Sequence, residues 1–370
     1  MGIAINIRRQ AALGLAAFGL TTAAAALTAT IAHAAIPDRW GFAYVDNPSV
    51  PSVPTVNHQA GSWPAPFKVH ATPGLIGQVS VSFPKIATKG GVVHVTAVTS
   101  QPAWCQAQTW GPSGPNEVAR VRCFRPGGAA IFVPFTITFT TSSKGPIPKG
   151  RAYGYVRFTP GPGVVTSFNS SGGANHVIPG PVGVWKVVLS GLGSSTEVGN
   201  VQVTAVNASK PAKCEVGGWT PKATGQIFQV RCYNAGIAPL STGWTLTYHR
   251  GRTVLGTQPK LFAYTFDNQP LVAGPYAPLP PGVNFNSAGG TNSIRTAGTG
   301  LRLVTFPRVG LLPNNVMVTA FKVAAGFCNL LSPWATSAAS AQVLVRDVAC
   351  YTASGTLKSQ ATFVTYASRS

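Results

Sequence analysis

The cysteines have the residue type and spacing for either disulfide or metal chemistry. They fall into three pairs, and an aromatic residue follows each second cysteine by 16 positions. A tryptophan also follows each first cysteine closely. The three sets are Cys105, Trp110, Cys123 and Phe139; Cys214, Trp219, Cys232 and Tyr248; and Cys328, Trp334, Cys350 and Tyr366. Because the same spacing of cysteines and aromatic residues occurs three times, the sequence indicates a tandem array of one module.

Disulfide chemistry fits these cysteines better than metal chemistry. No two of them form a C-x-x-C pair, and the histidines do not sit at ligand spacing from them. We therefore predict pairing within each repeat, Cys105–Cys123, Cys214–Cys232 and Cys328–Cys350, with no metal site and no cofactor. On the chain-entropy argument each short bridge contributes about 3 kcal/mol to stability.

Carboxylates are scarce, which argues against an acid–base enzyme. The chain has seven Asp and Glu in total, whereas a glycosidase needs a pair that brackets the scissile bond. Asp46 and Asp267 hold equivalent places before a proline, where a turn role is expected. No G-x-S-x-G elbow is present, and His94 reads as a surface residue. We predict no catalytic residue; the alternative is a hydrolase whose site at a module junction collects His and Asp from different repeats.

An asparagine-rich motif is the most suggestive polar feature. Residues 168–175, FNSSGGAN, are matched by residues 285–292, FNSAGGTN. Amide side chains pair well with sugar hydroxyls, so the four asparagines are candidate glycan contacts: Asn169, Asn175, Asn286 and Asn292. The alternative is a β-turn in which glycine supplies a positive φ. In the first repeat the corresponding region, residues 57–62, is degenerate.

The three repeated tryptophans, Trp110, Trp219 and Trp334, have two interpretations. An exposed indole would stack on a sugar ring, and a buried one would pack against the disulfide. Basic residues near the cysteines, such as Arg120, Arg122, Arg231 and Arg346, would form a stripe if their faces align, or act as solvated strand edges.

Positively charged residues greatly outnumber negatively charged ones. Lys and Arg number 28 against 7 Asp and Glu, a formal net charge of +21. Such a charge is compatible with a polyanion partner, which could be an acidic glycan, teichoic acid, nucleic acid or an anionic membrane face, and does not identify which. We expect a polysaccharide of the cell envelope, acidic or neutral. The alternative is that net charge serves solubility alone. No motif indicates specific recognition of nucleic acid.

The N-terminus predicts export. Arg8 and Arg9 precede an apolar, Ala-rich stretch from Ala11 to Ala32, and Ala32 and Ala34 are the small residues that a signal peptidase reads. We predict a signal peptide over residues 1–34; the alternative is a retained membrane anchor. No later segment is long and apolar enough to span a bilayer. The prediction is therefore a secreted, extracellular or cell-surface protein.

Short strands account for the rest of the chain. Gly (41) and Pro (31) interrupt it too often for long helices, and runs rich in Val, Thr, Ile and aromatics alternate with period two. The strand before each first cysteine reads V-x-V-T-A at residues 93–97, 201–205 and 316–320. We expect its small apolar face to pack on the core. The other face, including His94, Thr96, Gln202 and Met317, is expected to be exposed or half-exposed.

These features predict an all-β fold of three sandwich-like modules of Greek-key or jelly-roll type. The boundaries are residues 35–145, 146–255 and 256–370, with short linkers that suit either a semi-rigid string or a packed set. The combination of opening aromatic strand, S-G-G-x-N, V-x-V-T-A and Cys…Trp resembles secreted tandem β-repeat proteins of actinobacterial type. That resemblance implies export and repeated architecture, and it implies no catalytic or binding residue. The expected function is a non-enzymatic binding or structural protein of the cell envelope.

Overall fold

The computed structural model describes residues 38–141, 147–148, 150–256, 261–322 and 324–369. Within these ranges the chain forms β-strands and two single-turn 3-10 helices, Val56–His58 and Pro281–Val283, and no α-helix. The fold is all-β and sandwich-like, as the alternation and the frequent glycines and prolines predict. The signal peptide predicted over residues 1–34 lies outside the described residues.

The strands follow the sequence repeats. The first repeat contains β1 (Trp40–Val45), β2 (Gln59–Gly61), β3 (His70–Pro73), β4 (Gln78–Phe83), β5 (Val92–Ala97), β6 (Trp104–Ser113), β7 (Asn116–Phe124) and β8 (Phe135–Thr140). The second contains β9 (Ala152–Thr159), β10 (Gly163–Asn169), β11 (Asn175–Pro179), β12 (Val184–Ser190), β13 (Asn200–Val206), β14 (Lys213–Lys222), β15 (Gly225–Tyr233) and β16 (Gly243–Arg250). The third contains β17 (Phe262–Asp267), β18 (Asn284–Asn286), β19 (Ser293–Gly298), β20 (Leu301–Phe306), β21 (Asn314–Phe321), β22 (Phe327–Leu330), β23 (Ala335–Ser337), β24 (Gln342–Tyr351) and β25 (Ala361–Ser368).

Each repeat forms two facing sheets with the same strand order. One sheet, which we call the cysteine sheet, carries both cysteines; its strand orders are β6-β7-β4-β3, β14-β15-β12-β11 and β22-β24-β20-β19. The other, which we call the contact sheet, carries the V-x-V-T-A strand; its orders are β5-β8-β1-β2, β13-β16-β9-β10 and β21-β25-β17-β18. Apolar residues from the two sheets fill the space between them, as Val93 and Ile137 face Val81 and Val121 in the first repeat.

Each contact sheet continues into the cysteine sheet of another repeat. The junctions are parallel pairings: Val206 with Ala107, Phe321 with Val216, and Val98 with Leu330. The second repeat thus joins the first, the third joins the second, and the first joins the third. The described residues all belong to one compact unit. The repeats therefore pack together instead of forming a string. The predicted module boundaries at residue 35 and at residues 145/146 lie outside the described residues, and all the module boundaries remain predictions.

The prediction that the polar face of the V-x-V-T-A strands is exposed or half-exposed to solvent is wrong. His94, Thr96, Gln202, Thr204, Met317 and Thr319 are all buried. The same holds for the threonines of the last strand in each repeat, such as Thr136, Thr245 and Thr365. The contact sheets pack against one another, so the polar face that alternation predicts meets a neighbouring repeat rather than water.

The disulfides pair as the sequence predicts. They join Cys105 to Cys123, Cys214 to Cys232 and Cys328 to Cys350, and the described residues contain no free cysteine. In every case the two cysteines lie opposite each other on neighbouring antiparallel strands. Each bond therefore fastens the hairpin of a cysteine sheet.

Candidate functional site

The three repeated tryptophans are buried, as the packing interpretation expects. Trp110, Trp219 and Trp334 each retain at most 7% of their surface exposure. Each indole N–H donates a hydrogen bond inside the protein, to the Gly90 carbonyl at 3.1 Å, to Gln226 Oε1 at 2.7 Å and to Asn314 Oδ1 at 2.6 Å, respectively. These rings belong to the sandwich cores, so their geometry does not suit stacking on a sugar.

The repeated asparagines form a bracket of hydrogen bonds, by which we mean that their side chains bond to each other and to nearby backbone carbonyls. Asn169 Nδ2 donates to Asn175 Oδ1 at 2.9 Å, and Asn175 Nδ2 donates to the carbonyls of Phe168 and Tyr155 at 2.9 and 3.2 Å. The third repeat copies this bracket with Asn286 and Asn292. The glycines between them, Gly172 and Gly289, have φ of 75° and 72°. Geometry therefore favours the turn interpretation, because the amides are engaged with the chain itself.

The degenerate region of the first repeat opens into a groove that sequence reasoning missed. Ten residues between Val56 and Lys68 of the first repeat, together with Leu312, Pro313 and Arg369 of the third, line a hollow of about 390 Å³. A second hollow of about 430 Å³ shares Pro66, Phe67 and Lys68 with it and extends to His70 and Lys85. We call the two together the junction groove. Among the described residues that line either hollow, none is Asp or Glu.

Two aromatic side chains, Trp63 and Phe67, line the junction groove. Trp63 is half-buried, and Phe67 is 43% exposed. The Lys85 ammonium lies 4.9 Å from the centroid of the Phe67 ring, within cation–π range. A sequence signal for this site exists: the run 63–68, WPAPFK, has no counterpart in the other two repeats.

Two histidines from different repeats, His94 and His249, are both buried. His94 Nε2 lies 2.7 Å from the Thr247 hydroxyl, and His249 Nδ1 lies 2.7 Å from the Arg252 carbonyl. Burial lowers the pKa of His94 to about 3, and the neighbouring His249 adds to the effect. Burial likewise lowers the pKa of His249 to about 4, against its hydrogen bond to the Arg252 backbone. Both rings are therefore neutral at neutral pH, and their contacts are those of packing residues.

Glu117 is a carboxyl group buried at the junction of the first and second repeats. Its Oε2 accepts a hydrogen bond from the Thr88 backbone N–H at 3.1 Å, and its side chain is fully buried. Burial raises the pKa of Glu117 to about 7, against the Thr88 hydrogen bond and the charge of Arg157. The Arg157 guanidinium stacks 3.9 Å from the centre of Trp110. Gln226 occupies the matching position in the second repeat, six residues before the second cysteine.

The residues that precede the first cysteine of each repeat also meet one another. Trp104 and Phe327 have ring centroids 5.2 Å apart. The Lys213 ammonium lies 4.9 Å from the centroid of Trp104 and 5.6 Å from that of Phe327. Lys213 also donates to the carbonyls of Ala235 and Gly236, and burial lowers its pKa to about 8. These three positions surround the place where the repeats converge.

Asp267 is engaged in a buried ion pair. The Arg302 Nε lies 3.0 Å from Asp267 Oδ2, and the Tyr276 hydroxyl donates to Oδ1. Arg302 further donates to the carbonyls of Val272 and Gln269, which holds the loop after β17. Burial raises the pKa of Asp267, against the Tyr276 hydrogen bond and the Arg302 charge. Asp46, its counterpart in the first repeat, is exposed.

The two signs of charge are distributed very differently. Of the described Lys and Arg residues, 15 are exposed, spread over all three repeats. The seven carboxylates all lie in the described ranges, and only Asp46 is exposed. Glu117, Glu215 and Asp267 are buried. The surface therefore presents cations with almost no carboxylates among them to neutralise their field.

Comparisons with known proteins give no match: no family model, no curated protein and no solved structure matches this chain. In the described part of the chain, no helix is long and apolar enough to cross a membrane. The same residues contain no group of three or more His, Cys, Asp or Glu placed to hold a metal ion.

Proposed function

We propose that the chain is a secreted, non-enzymatic protein that binds acidic polysaccharide of the cell envelope. The observation that carries this proposal is the charge distribution: 15 exposed Lys and Arg face solvent with a single exposed carboxylate, Asp46. Such a surface attracts extended anionic polymers and concentrates them near the protein. Solubility alone requires net charge, but it does not require that exposed carboxylates be so few.

The disulfides and the spread of the cations support this partner. Three disulfides are typical of an oxidising compartment outside the cytoplasm, where envelope polysaccharides are encountered. The exposed cations are separated along the chain, as at Lys68, Lys186 and Arg346, without a block of consecutive basic residues. A polyanion would therefore contact cations that come from different parts of the chain.

The test is a binding measurement with the purified protein. We expect retention on an immobilised acidic polysaccharide such as alginate at about 50 mM NaCl, and markedly weaker retention at about 500 mM NaCl, because salt screens exposed charges. Dextran, which has sugar rings without charge, is the matched control and should retain little protein. Equal retention on alginate and dextran, or no retention on alginate at low salt, would contradict the proposal.

A further inference from the structure

We propose that the junction groove is the binding site for the acidic polysaccharide, with Trp63 as a stacking platform and Lys68, Lys85 and Arg369 as its anion contacts. The inference rests on the proposed function and adds a location and a ligand class: a chain of sugar rings that carries carboxylate or phosphate groups. Two observations carry it, the seating of Trp63 and the charge of the groove lining.

The seating of Trp63 fixes its ring in place. The indole lies against the backbone of two glycines on neighbouring strands, Gly41 and Gly61. A Cβ on Gly61 would stand 1.9 Å from Trp63 Cζ3, and one on Gly41 would stand 2.6 Å from the same atom. Both positions therefore require glycine for the ring to occupy this place. The ring also packs against the core of the first repeat, with its centroid 6.2 Å from that of Phe83, and its half-buried remainder lines the groove. A ring held in advance loses little conformational entropy when a sugar stacks on it.

The cations of the groove come from two repeats. Lys68 and Lys85 belong to the first repeat and Arg369 follows the last strand of the third; all three are exposed. Lys85 sits over Phe67, so an aromatic face and an ammonium group are presented together. No described lining residue of the groove carries a negative charge. An anionic group that enters the groove is therefore attracted by these side chains, while Asp46, the one exposed carboxylate, lies outside the lining.

The combination of rings and cations favours an acidic sugar chain over other polyanions. Sugar rings present apolar C–H faces to an indole, and their carboxylate or phosphate groups reach outward to ammonium and guanidinium groups. The two hollows lie side by side and share Pro66, Phe67 and Lys68 in their linings, so the pair suits an extended occupant. A polyanion without rings would use only the cations, and a neutral glycan only the aromatics.

The experiment compares three polymers against the purified full-length protein: alginate, linear polyphosphate and dextran. The variants are Trp63→Ala, Phe67→Ala and Lys68→Ala. The matched control is Lys358→Ala, which removes one exposed positive charge outside the groove lining. Phe67 is 43% exposed, so its variant tests ring stacking with little effect on the core. Thermal unfolding of each variant checks that the fold is retained.

We expect Trp63→Ala and Phe67→Ala each to weaken alginate binding about threefold to tenfold and to leave polyphosphate binding unchanged. Lys68→Ala should weaken binding of both polymers by more than Lys358→Ala does. Alginate binding that stays at the wild-type level in all three groove variants would overturn the groove assignment and leave the proposed function standing. Absence of alginate binding in the wild-type protein would overturn both. Polyphosphate binding stronger than alginate binding, and insensitive to both ring variants, would overturn the acidic-sugar assignment.

Discussion

The hydroxyl of Thr96 accepts a hydrogen bond from the backbone N–H of Val318, at 3.0 Å, across the boundary between the first and third repeats. Thr319 accepts from Val203 at 3.1 Å, and Thr204 accepts from Val95 at 3.2 Å. Each threonine is the same residue of V-x-V-T-A, and each bonds to the strand of another repeat. The three bonds close a ring and satisfy buried N–H groups that would otherwise lack a partner.

Replacing one threonine of this ring should destabilise the whole chain. Thr319→Val keeps the shape but leaves the Val203 N–H buried without an acceptor, which costs about 1–3 kcal/mol. The free energy of unfolding in urea measures the loss. Thr220→Val is the matched control, because Thr220 is exposed on β14, and it should change stability by less than about 0.5 kcal/mol. Equal effects of the two variants would refute the role of the ring.

Glu117 should make the protein less stable as pH rises. Its folded pKa of about 7 exceeds its unfolded value, so its contribution is fully present below about pH 4.5 and is lost as pH passes through 7. Glu117→Gln removes this loss and should raise stability at pH 8 by up to about 3 kcal/mol. Melting temperature measured across this pH range tests the sign.

The second repeat offers the reverse experiment for Glu117. Gln226 stands at the equivalent position and is fully buried, where it accepts the hydrogen bond of Trp219. Gln226→Glu should therefore introduce the pH-dependent loss that Glu117→Gln removes. If Glu117→Gln leaves the pH profile unchanged, the carboxyl group is ionised in the folded protein at little cost.

Acid should destabilise the protein through His94 and His249. Their folded pKa values, about 3 and about 4, lie below the unfolded value of about 6.5. The stability from burying neutral rings is complete above about pH 6.5 and is lost as pH falls towards 3–4. His94→Gln keeps a hydrogen-bonding side chain and should flatten the fall in melting temperature over this range. Exposed His70→Gln should leave the slope as it is.

The buried ion pair of Asp267 and Arg302 should contribute more to stability than the exposed Asp46 at the equivalent position of the first repeat. Asp267→Asn leaves the Arg302 guanidinium uncompensated and should cost about 3–5 kcal/mol. The same change at the equivalent, exposed Asp46 should cost less than about 0.5 kcal/mol. Chemical denaturation of both variants gives the two values. A small effect at Asp267 would mean that water or a rearranged loop replaces the ion pair.

The repeat register gave correct disulfide partners because cysteines equivalent in sequence are equivalent in space. Period-two alternation likewise identified the strands and their core faces, such as Val93 and Val95. It could not identify what covers the opposite face. Thr96 and His94 are polar, and from one sequence a polar strand face is predicted to be exposed to solvent. In this protein a neighbouring repeat covers that face and forms hydrogen bonds with both side chains.

The junction groove escaped prediction for a related reason. Residues that recur in all three repeats form a recognisable pattern, whereas Trp63, Phe67 and Lys68 occur in the first repeat alone. Their partner Arg369 lies about 300 residues away along the chain. Only the packing of the first repeat against the third brings these residues to one surface.

The meeting of Trp104, Lys213 and Phe327 shows what covalent linkage of the repeats permits. Three identical subunits around an axis would have to place the same residue there three times. Three lysines would repel one another in a buried space, and three tryptophans would compete for the same volume. Because one gene encodes all three copies in this chain, each can carry a different side chain, and a single cation is held between two aromatic rings.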